Sequence, residues 1–418
     1  MSPDAKMTKL FGWWYTAERP ARRAFGAAAF GWGLDAFDFM LWALVVTALI
    51  PEFGMSKTTV GLMGSIALLG AAAGGLIFGL VADRYGRTRA LMGSILIYSI
   101  FTAACGLAHS LFQLAVFRVC LGVGMGGEWG SGAALVSENF PAEHRGKALG
   151  FVQSAWAIGY GTAAVVTWLV LPRWGWRAVF FVGVLPALLA LWIQRRVEEP
   201  KIWRTRATSG GAETSRPTFG SLFRGRLGRL TLAVTLMNAC TLFGWWGLNI
   251  WIPPYLSLPA SQGGVGLTTA MVSGLVVVME VGRWFGYVSF GYMADAFGRK
   301  RAYVTYLLVA ATLIPLYGVL RAPMLLLVLG PFVAFFGTGY FSGFGALTAE
   351  IYPTPIRATA QGFTYNIGRV ASAAAPFAVG SLAGTRGFGV AFAVTGAAFV
   401  CAALAWIWIP ETRGAELS

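Results

Sequence analysis

The chain has 418 residues, 57% of them hydrophobic, a mean hydropathy of +0.65 and charge at only 12% of positions. Soluble domains carry roughly 25% charged residues, so a soluble globular protein, a disordered chain and a coiled coil are excluded and a polytopic membrane protein is left. The net charge of +15 falls in short basic clusters between apolar runs, the positive-inside pattern of membrane proteins rather than a nucleic-acid surface. The four cysteines, Cys105, Cys120, Cys240 and Cys401, lie within apolar runs and fit neither a disulfide framework nor a metal site. With His109 and His144 as the only histidines, histidine-based metal or triad chemistry is not expected.

A spanning helix takes ~20 apolar residues. Twelve need ~240, close to the 57% of 418 that is hydrophobic, which leaves no room for a soluble ATPase or receptor domain. The first apolar run, from Phe25 to Ile50, is too long for a signal peptide and is read as the first span. Spans are expected at 24–50, 58–82, 90–109, 111–137, 146–171, 178–195, 229–254, 267–294, 302–320, 324–350, 358–384 and 388–409. Of the 32 Lys and Arg, 24 fall at the amino end, in the loops after even-numbered spans and in the carboxyl tail. Five fall in the opposite loops (Lys57, Arg173, Arg177, Arg321, Arg386) and three inside spans. Both termini are therefore expected in the cytoplasm.

The longest polar stretch, 196–228, is expected to be a basic cytoplasmic linker with an interfacial helix between six-span halves at 1–195 and 229–418. Its charges read first as a topology signal and second as a contact for anionic lipid. The halves repeat. Gly79, Asp83, Gly86 and Arg87 match Gly291, Asp295, Gly298 and Arg299. Glu138, Pro141, Arg145, Gly150 and Phe151 match Glu350, Pro353, Arg357, Gly362 and Phe363. Every pair is separated by 212 positions, so both copies enter the membrane from the same side.

The segment GLVADRYGRTR, its second copy GYMADAFGRKR and the R-x-x-x-G-x-G-x-G run beginning at Arg118 resemble signatures of the major facilitator superfamily, over essentially the whole chain. The resemblance implies an all-α membrane fold of twelve helices, a central cavity between two halves and alternating access by rocking. GWGLDAFDFM, WGWRAVFFVGVLPALLALW and QGFTYNIGR look like the sialate:proton symporter group, which includes lactate permeases. GGEWG is similar to metabolite:proton symporters, and the paired aspartates of span 1 to aromatic-acid:proton symporters. By this resemblance Arg118 is the proton-coupling partner of an acid in span 1. The resemblance also assigns Asp83, Arg87, Glu138, Arg145, Asp295, Arg299, Glu350 and Arg357 to charge contacts that lock the outward-facing state.

Charged residues inside spans are costly and usually face a cavity or a partner. Four acids (Asp35, Asp38, Glu128, Glu280) and three bases (Arg118, Arg283, Arg369) are so placed. Asp35 lies ~15 Å into the bilayer at 1.5 Å per residue, and Asp38, at i+3, is expected on the same face. Two carboxylates so close cannot both ionise cheaply, which makes them a proton-carrying site; the alternative is a buried pair satisfied by Arg118. Glu128 reads equally as a gate or a bond to a neighbouring helix. Glu280 and Arg283 share a helix face and replace Leu68 and Ala71 of the first half. Arg283 can fork onto a carboxylate substrate, with Glu280 the proton acceptor that releases it. Arg369 is a second candidate anion ligand, or a salt-bridge partner of Glu280. Tyr365 and Asn366 lie beside it, and Gln153, Trp156, Tyr160, Asn238, Thr241, Trp245, Trp246 and Asn249 are candidates to line the cavity.

These readings favour a proton-coupled importer of an organic anion, a monocarboxylate by expectation, working as a monomer in a bacterial inner membrane. It would need no cofactor beyond protons and no nucleic-acid partner. Lactate, pyruvate, sialate, aromatic acids and dicarboxylates stay open as substrates. The alternative is a multidrug or organic-cation carrier of the same fold. Antiporters of the superfamily carry a G-P-x-x-G-G segment in span 5, whereas GFVQSAWAIGYGTAA has no proline. An enzyme is not expected, because G-x-x-x-x-G-K-[ST], H-E-x-x-H and G-x-S-x-G are all missing.

Overall fold

The computed structural model describes residues 14–200, 219–353 and 356–413. These residues are helical throughout, with no strand. The helices are α1 (Arg19–Phe53), α2 (Lys57–Tyr85), α3 (Arg87–Cys105), α4 (Leu111–Asn139), α5 (Ala142–Val182), α6 (Ala187–Arg196) and α7 (Gly225–Ser257). They continue as α8 (Thr269–Phe297), α9 (Arg299–Val319), α10 (Pro323–Thr338), α11 (Phe344–Ile351), α12 (Arg357–Ser372), α13 (Ala374–Thr385) and α14 (Gly387–Ala405). Most of the expected linker, 201–218, lies outside the described residues, and with it the expected interfacial helix and lipid contact.

Short hydroxyl caps begin the helices at one end of the molecule. Ser56 accepts from Thr59 N at 3.1 Å, Ser110 from Gln113 N at 3.2 Å and Thr268 from Met271 N at 3.4 Å. Each fills one of the backbone donors that a helix start leaves open. At the other end, Gly86 (φ 114°) and Gly298 (φ 98°) turn α2 into α3 and α8 into α9 with no intervening loop. That backbone region is open to glycine and strained for other residues.

Ten segments among the described residues are long and apolar enough to cross a membrane, against the twelve expected. Two features account for the difference. The expected spans at 146–171 and 178–195 run together as 144–196, broken at Gly175 (φ 73°, ψ 178°). The expected span at 358–384 is interrupted between α12 and α13, and α12 is polar, with Gln361, Asn366 and Arg369 on it. The expected span at 324–350 likewise contains a 3₁₀ turn, Gly339–Gly343, between α10 and α11.

Small residues set the packing. A Cβ on Gly122 or Gly126 of α4 would overlap the carbonyl oxygens of Ala67 and Ala71 on α2. In return, one on Gly70 or Gly74 would meet the carbonyls of Val119 and Val123. The repeat preserves the device: Gly282 and Gly286, 212 positions after Gly70 and Gly74, lie against Pro331 and Phe335 of α10. Without a hydrophobic force between helices in lipid, such close backbone approach carries the association. Gly126→Val pushes a side chain into backbone that no rotamer change can clear. It is expected to cost ~3 kcal/mol, read as a lower melting temperature and reduced yield of monodisperse protein in detergent.

The two repeats meet at the end that carries the hydroxyl caps. Lys57 Nζ donates to Gln262 O at 2.5 Å and Ala383 O at 3.2 Å. Phe377 N donates to Ser65 Oγ at 3.2 Å, and Ser257 Oγ to Thr47 Oγ1 at 3.4 Å. The ion pairs at the opposite end stay within one repeat. The molecule is therefore tied shut at the end bearing Lys57.

Candidate functional site

The second repeat places a buried ion pair at the junction of α5, α7 and α8. Glu280 and Arg283, one turn apart on α8, pair at 2.7 Å with side chains only 4% and 1% exposed. Arg283 Nη2 also donates to Asn249 Oδ1 at 2.5 Å. Asn249 is held for this by its own amide, which donates to Trp245 O at 2.7 Å and leaves the oxygen to accept. Across the repeat boundary, the Tyr160 ring centre lies 5.9 Å from the guanidinium. The backbone of α5 at Gly161 runs against the Glu280 side chain. Gln153 and Tyr287 share this space. Arg283 Nη1 has no acidic partner among the described residues, and the Tyr287 side chain lies beside the guanidinium. Breaking such a buried pair by removing one member leaves an uncompensated charge.

The first repeat holds a second cluster. Asp35, Asp38, Arg118 and Glu128 are each at most 1% exposed. Asp35 and Glu128 are electrostatic neighbours, and both face Arg369 of α12. Glu128 Oε1 occupies the room left by two glycines: a Cβ on Gly31 would stand 2.6 Å from it and one on Gly132 3.5 Å. Asp38 lies near Thr102 and the space over Gly183 while remaining a charge neighbour of Asp35. The two aspartates stay within reach of each other, with the Tyr98 ring near both, but their further partners differ. Arg118 makes no ion pair among the described residues. Its guanidinium lies 4.6 Å from the Trp42 ring centre and 5.1 Å from that of Phe39. The expected pairing with an acid of span 1 is replaced by cation–π contact with that same helix, and Cys105 lies near both Arg118 and Asp38.

Arg369 does not pair with Glu280, whose carboxylate is taken by Arg283. Its Nη1 reaches across the repeats to Ala71 O at 3.5 Å, and Tyr365 lies 5.8 Å below its guanidinium. Asn366 donates to Gly362 O at 2.9 Å and its oxygen faces Gly75 of α2. Arg283 and Arg369 therefore have different neighbours, one serving the Glu280 site and the other the Asp35 cluster. Asn238 is buried against Gly368 of α12, and Thr241 donates to Met237 O at 2.8 Å.

An aromatic wall joins the clusters. Trp32 of α1 contacts Trp129 at 4.7 Å and Trp156 at 4.9 Å between ring centres. Trp156 continues to Trp245 at 5.1 Å, and Trp245 to Trp246 at 4.3 Å and Phe341 at 5.8 Å. Trp246 closes back onto Phe39 at 4.9 Å. Sequence reading missed Trp32, Trp129, Phe341 and Tyr287. For Trp32, Trp129 and Tyr287 the only signal was closeness in sequence to Asp35, Glu128 and Arg283; Phe341, in the 3₁₀ turn, had none.

At the end opposite Lys57 the two repeats carry the same network. Arg87 pairs with Asp83 (2.5 Å) and Glu138 (3.1 Å), and Arg299 with Asp295 (2.5 Å) and Glu350 (3.1 Å). Arg145 Nε donates to Phe140 O at 2.9 Å and Arg357 Nε to Tyr352 O at 3.1 Å, bracing turns. None of these pairs crosses between the repeats. Two residues that sequence reading missed complete the symmetry. Glu199 accepts from Thr88 N (3.1 Å) and Arg89 N (3.2 Å), and Glu411, 212 positions later, from Arg299 N (2.8 Å) and Lys300 N (3.1 Å). Each carboxylate caps a helix start. Partial burial pushes the Glu411 carboxyl up, but the N–H groups of Arg413, Arg299, Lys300 and Thr412 outweigh it and hold the group below its ordinary value. Its contribution to stability is thus present at neutral pH and fades as pH falls through that lowered value. Glu199→Gln and Glu411→Gln are each expected to cost ~1 kcal/mol, the worth of a helix cap, measured by thermal unfolding in detergent at neutral pH.

An all-helical chain with two copies of one motif, buried charges at mid-helix and a site shared between the copies is a membrane carrier. The Major Facilitator Superfamily model matches residues 25–289 and 256–417, and the chain belongs to that superfamily; it is a multi-pass membrane transporter and not an enzyme. It is 33% identical to a cis,cis-muconate transport protein of Acinetobacter baylyi, over 91% of this chain and 92% of that one. It is 30% identical to the sialic acid transporter NanX of Escherichia coli, over 93% of each chain. It is also 30% identical to a gentisate transporter of Corynebacterium glutamicum, over 92% of this chain and 87% of that one. The xylose transporter XylE from E. coli, in a partially occluded inward-open conformation, shares the fold with a TM-score of 0.78 at 21% identity, over 96% of this chain and all of that one.

Proposed function

We propose that the chain is a proton-coupled symporter that takes up a flat, conjugated organic monocarboxylate by alternating access. The observation that carries this reading is the Glu280–Arg283 pair, buried against Asn249 and Tyr160 at the boundary of the repeats, beside a wall of five tryptophans. Arg283 supplies the anion contact, and the indole faces suit a planar ring or diene. Three of the transporters named above are, by their descriptions, for cis,cis-muconate, sialic acid and gentisate; all three are organic acids, muconate with two carboxylates.

In the cycle, a proton arriving from outside neutralises Glu280. Arg283 is released from its internal carboxylate and takes the substrate carboxylate instead. With the charge balanced, the repeats rock and the Lys57 tie closes the outer end. Substrate and proton then leave to the cytoplasm, and Glu280 recaptures Arg283. The Asp35–Glu128–Arg369 group, whose arginine comes from the other repeat, senses the rocking in the same cycle. The end bearing Lys57 is placed outside by the positive-inside pattern, with both termini in the cytoplasm of a bacterial inner membrane. Division at Gly175, together with α12 and α13 counted as one broken span, raises ten spans to twelve, six in each half. The carrier works as a monomer, with protons as its coupling ion and no cofactor.

The reading is tested by intrinsic tryptophan fluorescence of the purified carrier against benzoate-type acids, lactate and cationic dyes. Aromatic acids are expected to quench saturably at concentrations at least about tenfold lower than lactate, a discrimination of ~1.4 kcal/mol. Tighter binding of cationic dyes than of any carboxylate would replace this reading with an organic-cation carrier.

A further inference from the structure

At the end opposite Lys57, two shallow pockets of about 290 and 360 Å³ adjoin on the second repeat and share Lys300. The first is lined by Arg226 and Arg229 at the start of α7, by Lys300 at the start of α9, and by Ile407 and Trp408 just past α14. Arg301 and Arg413 line the second. Five cations thus converge where three helix ends meet. None of them pairs with a carboxylate among the described residues. The one acid in the pockets, Glu411, is directed at the backbone N–H groups of Arg299 and Lys300. The nearest ion pairs use Arg299, not its neighbours.

The same corner exposes apolar groups. Trp408 is 58% exposed, Ile407 66% and Phe297 63%. Lys300 Nζ donates to Ile409 O at 3.4 Å, and an exposed tryptophan beside cations without a carboxylate partner at a helix end marks the headgroup level of a bilayer, where basic pockets between spanning helices hold acidic lipid headgroups. At the 212 offset the first repeat has Trp14, Ala17 and Thr88 in place of Arg226, Arg229 and Lys300. We propose that Arg226, Arg229 and Lys300 bind the phosphate of an anionic phospholipid whose chains lie along Ile407 and Trp408. Charge complementarity selects an acidic headgroup, and the exposed apolar rim selects a lipid over a free phosphate. The bound lipid bridges α7, α9 and the segment after α14, beside the Arg299–Asp295–Glu350 network.

The test is native mass spectrometry of the full chain with phosphatidylglycerol, with phosphatidylcholine of the same acyl chains, and with inorganic phosphate as competitor. Phosphatidylglycerol is expected to stay bound under activation that strips phosphatidylcholine. An Arg226→Gln/Arg229→Gln/Lys300→Gln variant is expected to lose at least ~10-fold in apparent affinity, while Arg84→Gln/Arg89→Gln retains it. A second readout does not depend on the triple variant: phosphatidylglycerol with brominated chains is expected to quench the wild type more than Trp408→Phe. Four results would each overturn the proposal. They are equal retention of the two lipids, equal loss in both arginine variants, displacement of the lipid by free phosphate, and equal quenching with and without Trp408.

Discussion

Arg283→Gln is expected to lower substrate-driven uptake about 100-fold or more, the range for truncating one partner of a buried charge pair. The variant removes the guanidinium that takes the substrate carboxylate and leaves Glu280 buried without a counter-charge. Because loss of one member of a buried pair also destabilises, Arg283→Lys separates the two effects. It keeps the positive charge beside Glu280 and loses the planar fork. Uptake by Arg283→Lys is expected to fall by at least about tenfold with wild-type elution from size exclusion. Wild-type uptake by either variant would remove Arg283 from the transport step.

Glu280→Gln is expected to separate exchange from accumulation. Glutamine imitates the protonated carboxyl, so Arg283 stays available for the anion while no proton is exchanged. Counterflow of labelled substrate across a vesicle loaded with unlabelled substrate should persist at a rate within about tenfold of wild type. Uphill uptake driven by an imposed pH gradient should vanish. The pairing geometry, one turn of helix and 2.7 Å, is the reason one substitution can uncouple the two. Retained accumulation by Glu280→Gln would move the coupling proton to the Asp35–Glu128 group.

Much of this was readable before any coordinates. Apolar run length located ten of the twelve expected spans, and one repeat offset located both charge networks, because each rests on local spacing. The Glu280–Arg283 pair was legible for the same reason, since i and i+3 on a helix must be neighbours. What was not legible depends on contacts across the chain. Glu199 caps a helix more than a hundred residues earlier, and a Glu-Pro step after a span has no spacing rule to announce that. Asp35 and Asp38 are neighbours as their spacing implies, but their further partners were not legible, because residues three apart are rotated by about 60° on a 3.6-residue helix. That suffices for one to face Glu128 and Arg369 and the other Thr102. Arg118 carried a strong motif, yet its neighbours are the Trp42 and Phe39 rings of α1. The break at Gly175 sits inside WGWR, where the apolar pattern continues through the turn. The tryptophan wall was half seen, because mid-span and belt tryptophans look alike in sequence.

The central claim, that an organic carboxylate and a proton cross together, is tested most directly in proteoliposomes holding a trapped pH dye. Carboxylates are added outside, with protein-free liposomes alongside to subtract the leak of neutral weak acids. The account predicts protein-dependent acidification of the lumen by flat aromatic or diene carboxylates, weaker for lactate and absent in Arg283→Gln. No acidification by any carboxylate, together with proton release driven by organic cations, would contradict it.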